Sequence, residues 1–305
     1  MKKKYSPLVT ICIPSFNHAR YVKKTILSVI DQNYKNIELI VIDDGSKDNS
    51  VNIIKSIEKK CIKRFRRFKL IQQKNIGVNK TLNVAIKWAA GKYFAYVGSD
   101  DVFKKNKTNF LVSIMEKKSN SNLAGIFGSY EIINKNGELI GIHTNPVKKY
   151  NFSDIISWNY NLNTAGQLLR LEFIKRFNGY KENLFFEDWY MWLKLASKGY
   201  ELKSVNKIVA EYRLHEKNAS KNILKIFKSR NLILKPYQNH ALYNCGKSKN
   251  YLYTSIELSE KKKFYALKLL FSSMVLYPKI ILEYKFFLCI AKILRPKFLL
   301  TNKLI

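Results

Sequence analysis

Acidic residues are scarce in this chain: 22 Asp and Glu stand against 55 Lys and Arg, a formal charge of +33. A surplus of that size means attraction to polyanions, whether a membrane surface, phosphates or nucleic acid, and does not choose among them. A chain crowded with Lys, Asn and Ile also carries much of its charge as ordinary solvated surface. Cysteine is equally sparse. Cys12, Cys61, Cys245 and Cys289 are far apart, with no Cys-x-x-Cys pair and no nearby histidine, which suggests neither a disulfide framework nor a zinc site. The start runs from Met1 through three lysines into a strand-like segment with Pro7 and Pro14, so no secretory h-region is read and cytoplasmic residence is expected. Apolar runs stay well short of the roughly 20 residues that span a bilayer. No Gly-x-Gly-x-x-Gly follows the first strand, which disfavours a dinucleotide-dependent oxidoreductase. Phe65 and Phe68 interleave with Lys63, Arg64, Arg66 and Arg67. No zinc-finger or RNP signature accompanies them, so nucleic acid is not an expected partner.

What is present is alternation. Residues 8–13 form a β-rich run, and 20–30 place Val22, Ile26, Val29 and Ile30 at helical spacing. A strand over 37–42 leads into the turn-rich Asp43-Asp44-Gly45-Ser46 and a helix over 51–59. A strand at 68–72 and a helix over 78–90 follow, and Gly91 stops that helix before a strand at 93–97 and Gly98-Ser99-Asp100-Asp101. This pattern predicts an α/β fold with a mostly parallel sheet and ligands beyond the carboxyl ends of its strands, where both acidic clusters fall. After about residue 120 the alternation loosens. Residues 124–133 and 138–143 read as a hairpin around Asn134-Lys135-Asn136-Gly137, and 187–198 as a helix. From Asn222 onward the chain reads as helical and basic, with Glu257, Glu260 and Glu283 its only acidic residues. Either a surface-lying amphipathic pair or packing on the preceding domain fits that region.

Paired carboxylates at a strand end suit a hard divalent cation that also holds a diphosphate, although Asp in such a turn often only bonds its own backbone. Asp43-Asp44 and Asp100-Asp101 converging on one sheet edge would repel unless a cation or ligand relieved them. Asp188, just ahead of a Trp-rich amphipathic segment, reads either as a helix N-cap or as a general base. His215 is one of only four histidines.

Val9-Thr10-Ile11-Cys12-Ile13-Pro14-Ser15-Phe16-Asn17, the strand ending in Asp43-Asp44-Gly45-Ser46, Asn75-Ile76-Gly77 with Asn83, and Ala90-Gly91-Lys92-Tyr93 occur in this order. The set closely resembles glycosyltransferase family 2, inverting enzymes with a GT-A fold, over about residues 8–220. The resemblance implies a Rossmann-like central sheet flanked by helices, with a C-terminal helical extension. The expected divisions are a catalytic domain over 1–220, split near 120 into nucleotide-sugar and acceptor halves, and a basic helical region over 221–305.

Position by position, the resemblance implies donor contacts from Pro14, Ser15, Phe16, Asn17, Asp43, Asp44, Asn75, Gly77, Asn83, Ser99 and Asp100, with Asp43 and Asp44 at the base and Asp100 at the ribose. It implies Asp101 and His215 at a Mn2+ or Mg2+ ion and Asp188 as the catalytic base. Family members often carry Asp-x-Asp-Asp where this chain has Gly98-Ser99-Asp100-Asp101, one carboxylate fewer. The Gln-x-x-Arg-Trp motif of processive synthases is missing, so transfer of one sugar per event is expected. The implied partners are a nucleotide-sugar donor, UDP-sugar favoured, a saccharide or lipid-linked acceptor of bacterial surface polysaccharide or lipooligosaccharide assembly, and an anionic membrane at the inner face. The sequence leaves homodimerisation open. A catalytically silent sugar-binding or scaffold protein is the rival reading, opposed by the joint presence of Asp100, Asp101 and Asp188.

Overall fold

The computed structural model describes residues 6–185, 187–216, 218 and 221–295. The expected boundary at Ser220 and the expected C-terminal residues 296–305 lie outside them. Two compact units are present: Met1–Asn151 with Tyr160–Asn183 and Glu187–Glu216, and Phe152–Asn159 with Leu184–Phe186 and Lys217–Ile305.

In chain order the elements are β1 (Val9–Ser15), α1 (Val22–Ile30), β2 (Ile37–Asp43), α2 (Ser50–Ser56), α3 (Glu58–Arg64), β3 (Arg67–Gln72), α4 (Val78–Trp88), β4 (Tyr93–Tyr96), β5 (Val102–Phe103) and α5 (Lys107–Met115). Then follow β6 (Leu123–Ile133), β7 (Leu139–His143), β8 (Lys148–Tyr150), α6 (Phe152–Ile156), β9 (Gln167–Arg170), α7 (Leu171–Arg176), α8 (Glu187–Ala196) and β10 (Glu201–Arg213). The chain continues through α9 (Ile223–Leu234), α10 (Tyr243–Leu258), α11 (Lys263–Leu276) and α12 (Tyr284–Leu294).

The first unit is built on one sheet, ordered β3-β2-β1-β4-β9-β6-β10-β5, with β7 beside β6 and β8 beside β10. Its first four strands are parallel, and the buried, β-branched β1 and β2 are the continuous apolar runs that a sheet covered on both faces requires. Beyond β4 the sheet is mixed. β9 enters antiparallel between β4 and β6, whereas β10 runs parallel to β6. The hairpin over residues 124–143 is present as β6 and β7.

Glu38 shows how the parallel block is fastened. This fully buried carboxylate accepts from Thr10 Oγ1 (2.6 Å), Arg67 Nη1 (2.8 Å), and the backbone N–H groups of Ala90 and Gly91 (2.7 and 3.2 Å), tying β1, β3 and the approach to β4 together on β2. Side chains of α1 (Val22, Ile26, Val29) and α5 (Leu111, Val112, Met115) fill the core against Ile11, Ile13, Leu39 and Val41. The chain builds β2 and β3 on one side of β1 and β4 on the other, so β1 ends at a topological switch point.

The second unit is helical. Leu252, Leu270, Ile280 and Cys289 form one apolar cluster, and Leu258, Ala266 and Leu269 another. Ser248 and Ser255 on α10 donate to the carbonyls of Ser273 and Ala266 on α11, which lets the two helices approach on small side chains. Among the described residues no helix is long and apolar enough to cross a membrane.

Candidate active site

The carboxyl ends of β1, β2 and β4 carry the residues of interest, and hydrogen bonds between loops hold them. Asn17 adopts φ 54°, a left-handed turn that asparagine tolerates. Its backbone N–H donates to Ser46 Oγ (2.8 Å), and its Oδ1 accepts from Lys47 N–H (2.7 Å). Asp43 closes the turn after β2 by accepting from Ser46 N–H and Oγ (2.9 and 2.7 Å). Beside these turns, Gly45, Ser46, Lys47, Gln72, Gln73, Lys74 and Asn75 line an open cavity of about 510 Å³ at the ends of β2 and β3. Pro14 and Ser15 end β1, with the Ser15 hydroxyl buried and without a hydrogen-bond partner among the described residues, and Phe16 beyond them is exposed.

Asp44 and Asn83 do something other than line that cavity. Asp44 accepts from Gln73 Nε2 (2.8 Å), Ile76 N–H (2.9 Å) and Gly77 N–H (2.9 Å), and so fastens the loop that starts α4. Gly77 enters α4 at φ 87°, a conformation that a side chain would strain. Asn83, expected among the donor contacts, instead gives both ends of its amide to the main chain of Tyr180 (2.8 Å each). It fixes the segment around Gly179.

Beyond β4, Asp100 and Asp101 point to different surroundings. The Oδ2 atom of Asp100 lies 2.8 Å from His215 Nε2, and its Oδ1 lies 3.9 Å from His18 Nδ1. His18 Nδ1 also meets Ser99 Oγ at 2.7 Å. His18 and His215 are edge to face at 5.5 Å, and Tyr21 stacks on His215 at 5.3 Å. Among the described residues, one ligand atom from each of His18, Asp100 and His215 falls within 4.8 Å of the others, a grouping that could hold a divalent cation. Burial opposes the charge of Asp100, yet the His215 hydrogen bond and the charges of His18 and His215 hold its carboxyl below the usual range.

Asp101 is expected at the metal beside His215. Its Oδ1 accepts the backbone N–H of Arg213 (2.8 Å), and burial together with the charge of Asp100 pushes its carboxyl well above the usual range. The Arg213 guanidinium reaches the Asp100 carbonyl (2.8 Å) and lies over Tyr21. Asp101 therefore couples the end of β10 to the β4 loop, and carries His215 to Asp100.

Asp188 is in the second turn-forming position of α8 and nearly buried. Its two oxygens accept the hydroxyls of Tyr96, at the end of β4, and Thr164. Burial raises its carboxyl to about 6, despite the opposing influence of both hydroxyls. A carboxylate poised near neutrality and bonded to Tyr96, which stands four residues before Asp100 in sequence, suits proton abstraction. Sequence reasoning missed His18, Tyr96 and Thr164. Only the rarity of histidine and the place of His18 just past the first strand marked one of them.

Residues 10–191 match the family described as "Glycosyl transferase family 2". Among curated proteins, the chain is 29% identical over 252 residues to the UDP-Glc:alpha-D-GlcNAc-diphosphoundecaprenol beta-1,3-glucosyltransferase WfgD of Escherichia coli, covering 82% of this chain and 94% of that one. It is 29% identical over 221 residues to the putative teichuronic acid biosynthesis glycosyltransferase TuaG of Bacillus subtilis, covering 72% and 83%. An uncharacterized glycosyltransferase of Rickettsia bellii is 30% identical over 228 residues, 72% of this chain, and this chain spans only 31% of its length. The fold matches S. aureus TarS 1-349, solved in complex with UDP-GlcNAc, at a TM-score of 0.65 and 17% identity, covering 94% of this chain and 88% of that one. It also matches the mannosyltransferase PcManGT of Pyrobaculum calidifontis, solved with GDP-Man and Mn2+, at 0.64 and 12%, covering 95% and 88%. The architecture is that of the GT-A fold.

Proposed function

The chain belongs to glycosyl transferase family 2, and from that membership we propose that it transfers one sugar from a nucleoside-diphosphate donor, UDP-sugar favoured, to a saccharide or lipid-linked saccharide with inversion. The observation that carries this reading is the pairing of a cation-competent Asp100–His215 cluster with a buried carboxylate, Asp188, tied to the same strand end by Tyr96.

Asp188 takes the proton of an acceptor hydroxyl. The hydroxyl oxygen forms a bond to the anomeric carbon from the face opposite the nucleotide, and the bond from that carbon to the diphosphate oxygen breaks, releasing the nucleoside diphosphate. Asp100 and His215 are the residues that would hold a divalent ion, which neutralises charge on the departing diphosphate when bound. Asp101 would join them at the ion, and Arg213, through the Asp101 carboxylate and the Asp100 carbonyl, positions them. The cavity at Gly45–Asn75 is assigned to the nucleobase, with Asp43 at its rim and Pro14, Ser15, Phe16, Asn17, Asn75, Gly77 and Ser99 around the donor. Asp44 and Asn83 shape this pocket from behind. The names of WfgD and TuaG support a place in surface-polysaccharide assembly.

The same reading extends to the second unit, for which an anionic lipid surface is the inferred partner. Phe264, Leu267, Phe271 and Val275 recur at helical spacing on one exposed stripe of α11, and Tyr284, Phe287, Leu288 and Leu294 on α12. Lys261, Lys262, Lys268 and Lys279 are exposed in the same segment. Apolar side chains flanked by lysines are what an interfacial helix offers acidic headgroups. Such docking brings the enzyme to a lipid-linked acceptor at the cytoplasmic face.

The direct experiment is a binding and donor-hydrolysis screen of the purified protein against UDP-, GDP-, CMP- and dTDP-sugars, with Mn2+, Mg2+ or EDTA. Metal-dependent hydrolysis of one donor is the expected result. Binding without turnover in folded protein would overturn catalysis in favour of a sugar-binding or scaffold role.

A further inference from the structure

Lys107 opens α5 in surroundings that ill suit a lysine. It is 2% exposed, and its Nζ lies 3.6 Å from the centre of the Phe103 ring in the apolar core of the sheet. The first residue of a helix is also the positive end of the helix dipole, which disfavours a cation. Burial pushes the Lys107 amine well below the usual lysine range, with the charge of Asp101 opposing. Among the described residues Nζ has one hydrogen-bond acceptor, the Ala165 carbonyl at 2.6 Å, and charged or neutral it keeps an N–H for that bond. An apolar side chain would fill the same place at lower cost, so the amine is held for the atom that it touches.

Ala165 belongs to the turn at 163–166, both ends of which are pinned to Gly128. Asn163 Nδ2 donates to the Gly128 carbonyl (2.9 Å), and the Gly128 N–H donates to the Gly166 carbonyl (3.0 Å). A Cβ on Gly166 would lie 2.3 Å from the Gly128 oxygen, so the two backbones meet with no room for a side chain. Between these anchors stand Thr164, whose hydroxyl donates to Asp188, and the Ala165 carbonyl. Rotation at these two residues is the freedom left in the turn, and the Lys107 bond removes it.

We propose that Lys107 is a positioning residue for sugar transfer: it fixes the Ala165 carbonyl and thereby holds the Thr164 hydroxyl on the Asp188 carboxylate. The inference rests on the reading of Asp188 as general base given above. A base must be held in one geometry to work, and small misplacements by residues remote from the chemistry are costly.

The test reads Asp188 directly, by carboxyl 13C NMR of the full chain labelled at aspartate, with the signal assigned by its loss in Asp188→Asn. The parent should titrate near 6. In Lys107→Met the titration should move to higher pH, as in Thr164→Val, because the hydroxyl that favours the charged form is no longer held. The double variant should move no further than Thr164→Val alone, since both changes remove one interaction. With whichever of the UDP-, GDP-, CMP- and dTDP-sugars the protein turns over, kcat of Lys107→Met should fall at least ~10-fold while donor KM stays within about twofold. Circular dichroism melting verifies folding. Lys107→Gln, which keeps an N–H donor, should show smaller changes than Lys107→Met and gives the reading should that variant misfold. An unmoved Asp188 titration in folded Lys107→Met and Lys107→Gln, or shifts that add in the double variant, would overturn the role of Lys107 and leave Asp188 standing as the base. Undiminished turnover in Asp188→Asn would instead overturn the base itself.

Discussion

Tyr96 and Asp188, 92 residues apart in sequence, meet in a hydrogen bond in which the phenol donates to the carboxylate Oδ1. Thr164 donates to the other oxygen. Burial raises the Asp188 carboxyl to about 6, and each hydroxyl pulls it back toward the ordinary value. Because a base works only when ionised, turnover should rise with pH through about 6 and level off above it. In Tyr96→Phe one charge-stabilising donor is gone, so the acid limb of kcat should move to higher pH by about one unit. A pH profile of sugar transfer checks both, and an acid limb that stays in place in Tyr96→Phe would remove the phenol from this role.

The same carboxylate costs stability when charged. Its folded value lies above the unfolded value near 3.8, so protonation favours the folded state. The stabilising contribution is complete below about pH 4 and is lost as pH rises through about 6. Asp188→Asn removes the charge and keeps hydrogen-bonding capacity toward Tyr96 and Thr164. At pH 8 this variant should be more stable than the parent by about 1–3 kcal/mol, with the gap closing near pH 4. Its turnover should fall at least ~100-fold while donor binding persists. Urea unfolding at the two pH values, beside donor titration, is the measurement. Equal stability at pH 8 would mean that the buried carboxyl is not perturbed.

Local patterning made the parallel half legible. β1, β2 and β4 are short apolar runs closed by turn chemistry, and the acidic residues at the ends of β2 and β4 sit next to those signals in sequence. The mixed half was not legible for a physical reason. Register between β6 and β10 joins Leu123 to Glu201 and Ile133 to Arg213, and β9 inserts itself from a third stretch, choices that side-chain alternation within one strand does not encode. The roles of the carboxylates were hidden similarly. Asp100 and Asp101 are adjacent and chemically identical, and only the arrival of the β10 end distinguishes them, with the Arg213 amide taking Asp101 and the His215 ring taking Asp100. Asn83 carried a family resemblance, but its amide faces Tyr180.

Asp44 offers a separate test of how the cavity proposed for the nucleobase is shaped. Its carboxylate is buried and accepts from two backbone amides and Gln73, which is why the Asn75-Ile76-Gly77 loop closes against β2. Asp44→Ala leaves those donors without their charged acceptor and should cost about 2–4 kcal/mol, charge-assisted bonds being the stronger kind. Donor KM should rise by about tenfold or more as the cavity wall loosens, with Asp44→Asn intermediate because its amide accepts with one oxygen only. Chemical denaturation and donor kinetics read the two effects. A loss below about 0.5 kcal/mol in Asp44→Ala would mean that the loop holds itself.

The apolar stripes of α11 and α12 lead to a prediction that separates docking from folding. Phe271 and Phe287 are each 62% exposed, so replacing them removes little packing within their own unit, whose clusters are centred on Leu252, Leu270 and Leu258. Phe271→Glu with Phe287→Glu should leave the melting temperature nearly unchanged. The same pair places two carboxylates where an acidic bilayer would lie and removes two aromatic anchors, so partition into vesicles of phosphatidylglycerol and phosphatidylcholine should fall by tenfold or more. Binding of the parent should weaken as salt rises, since the lysines act within a Debye length of about 10 Å at 0.1 M. Vesicle sedimentation at two salt concentrations gives both readings. If the double variant still sediments with acidic vesicles as the parent does, the aromatic stripes are not the membrane face, and attraction through the lysines alone would have to carry the contact.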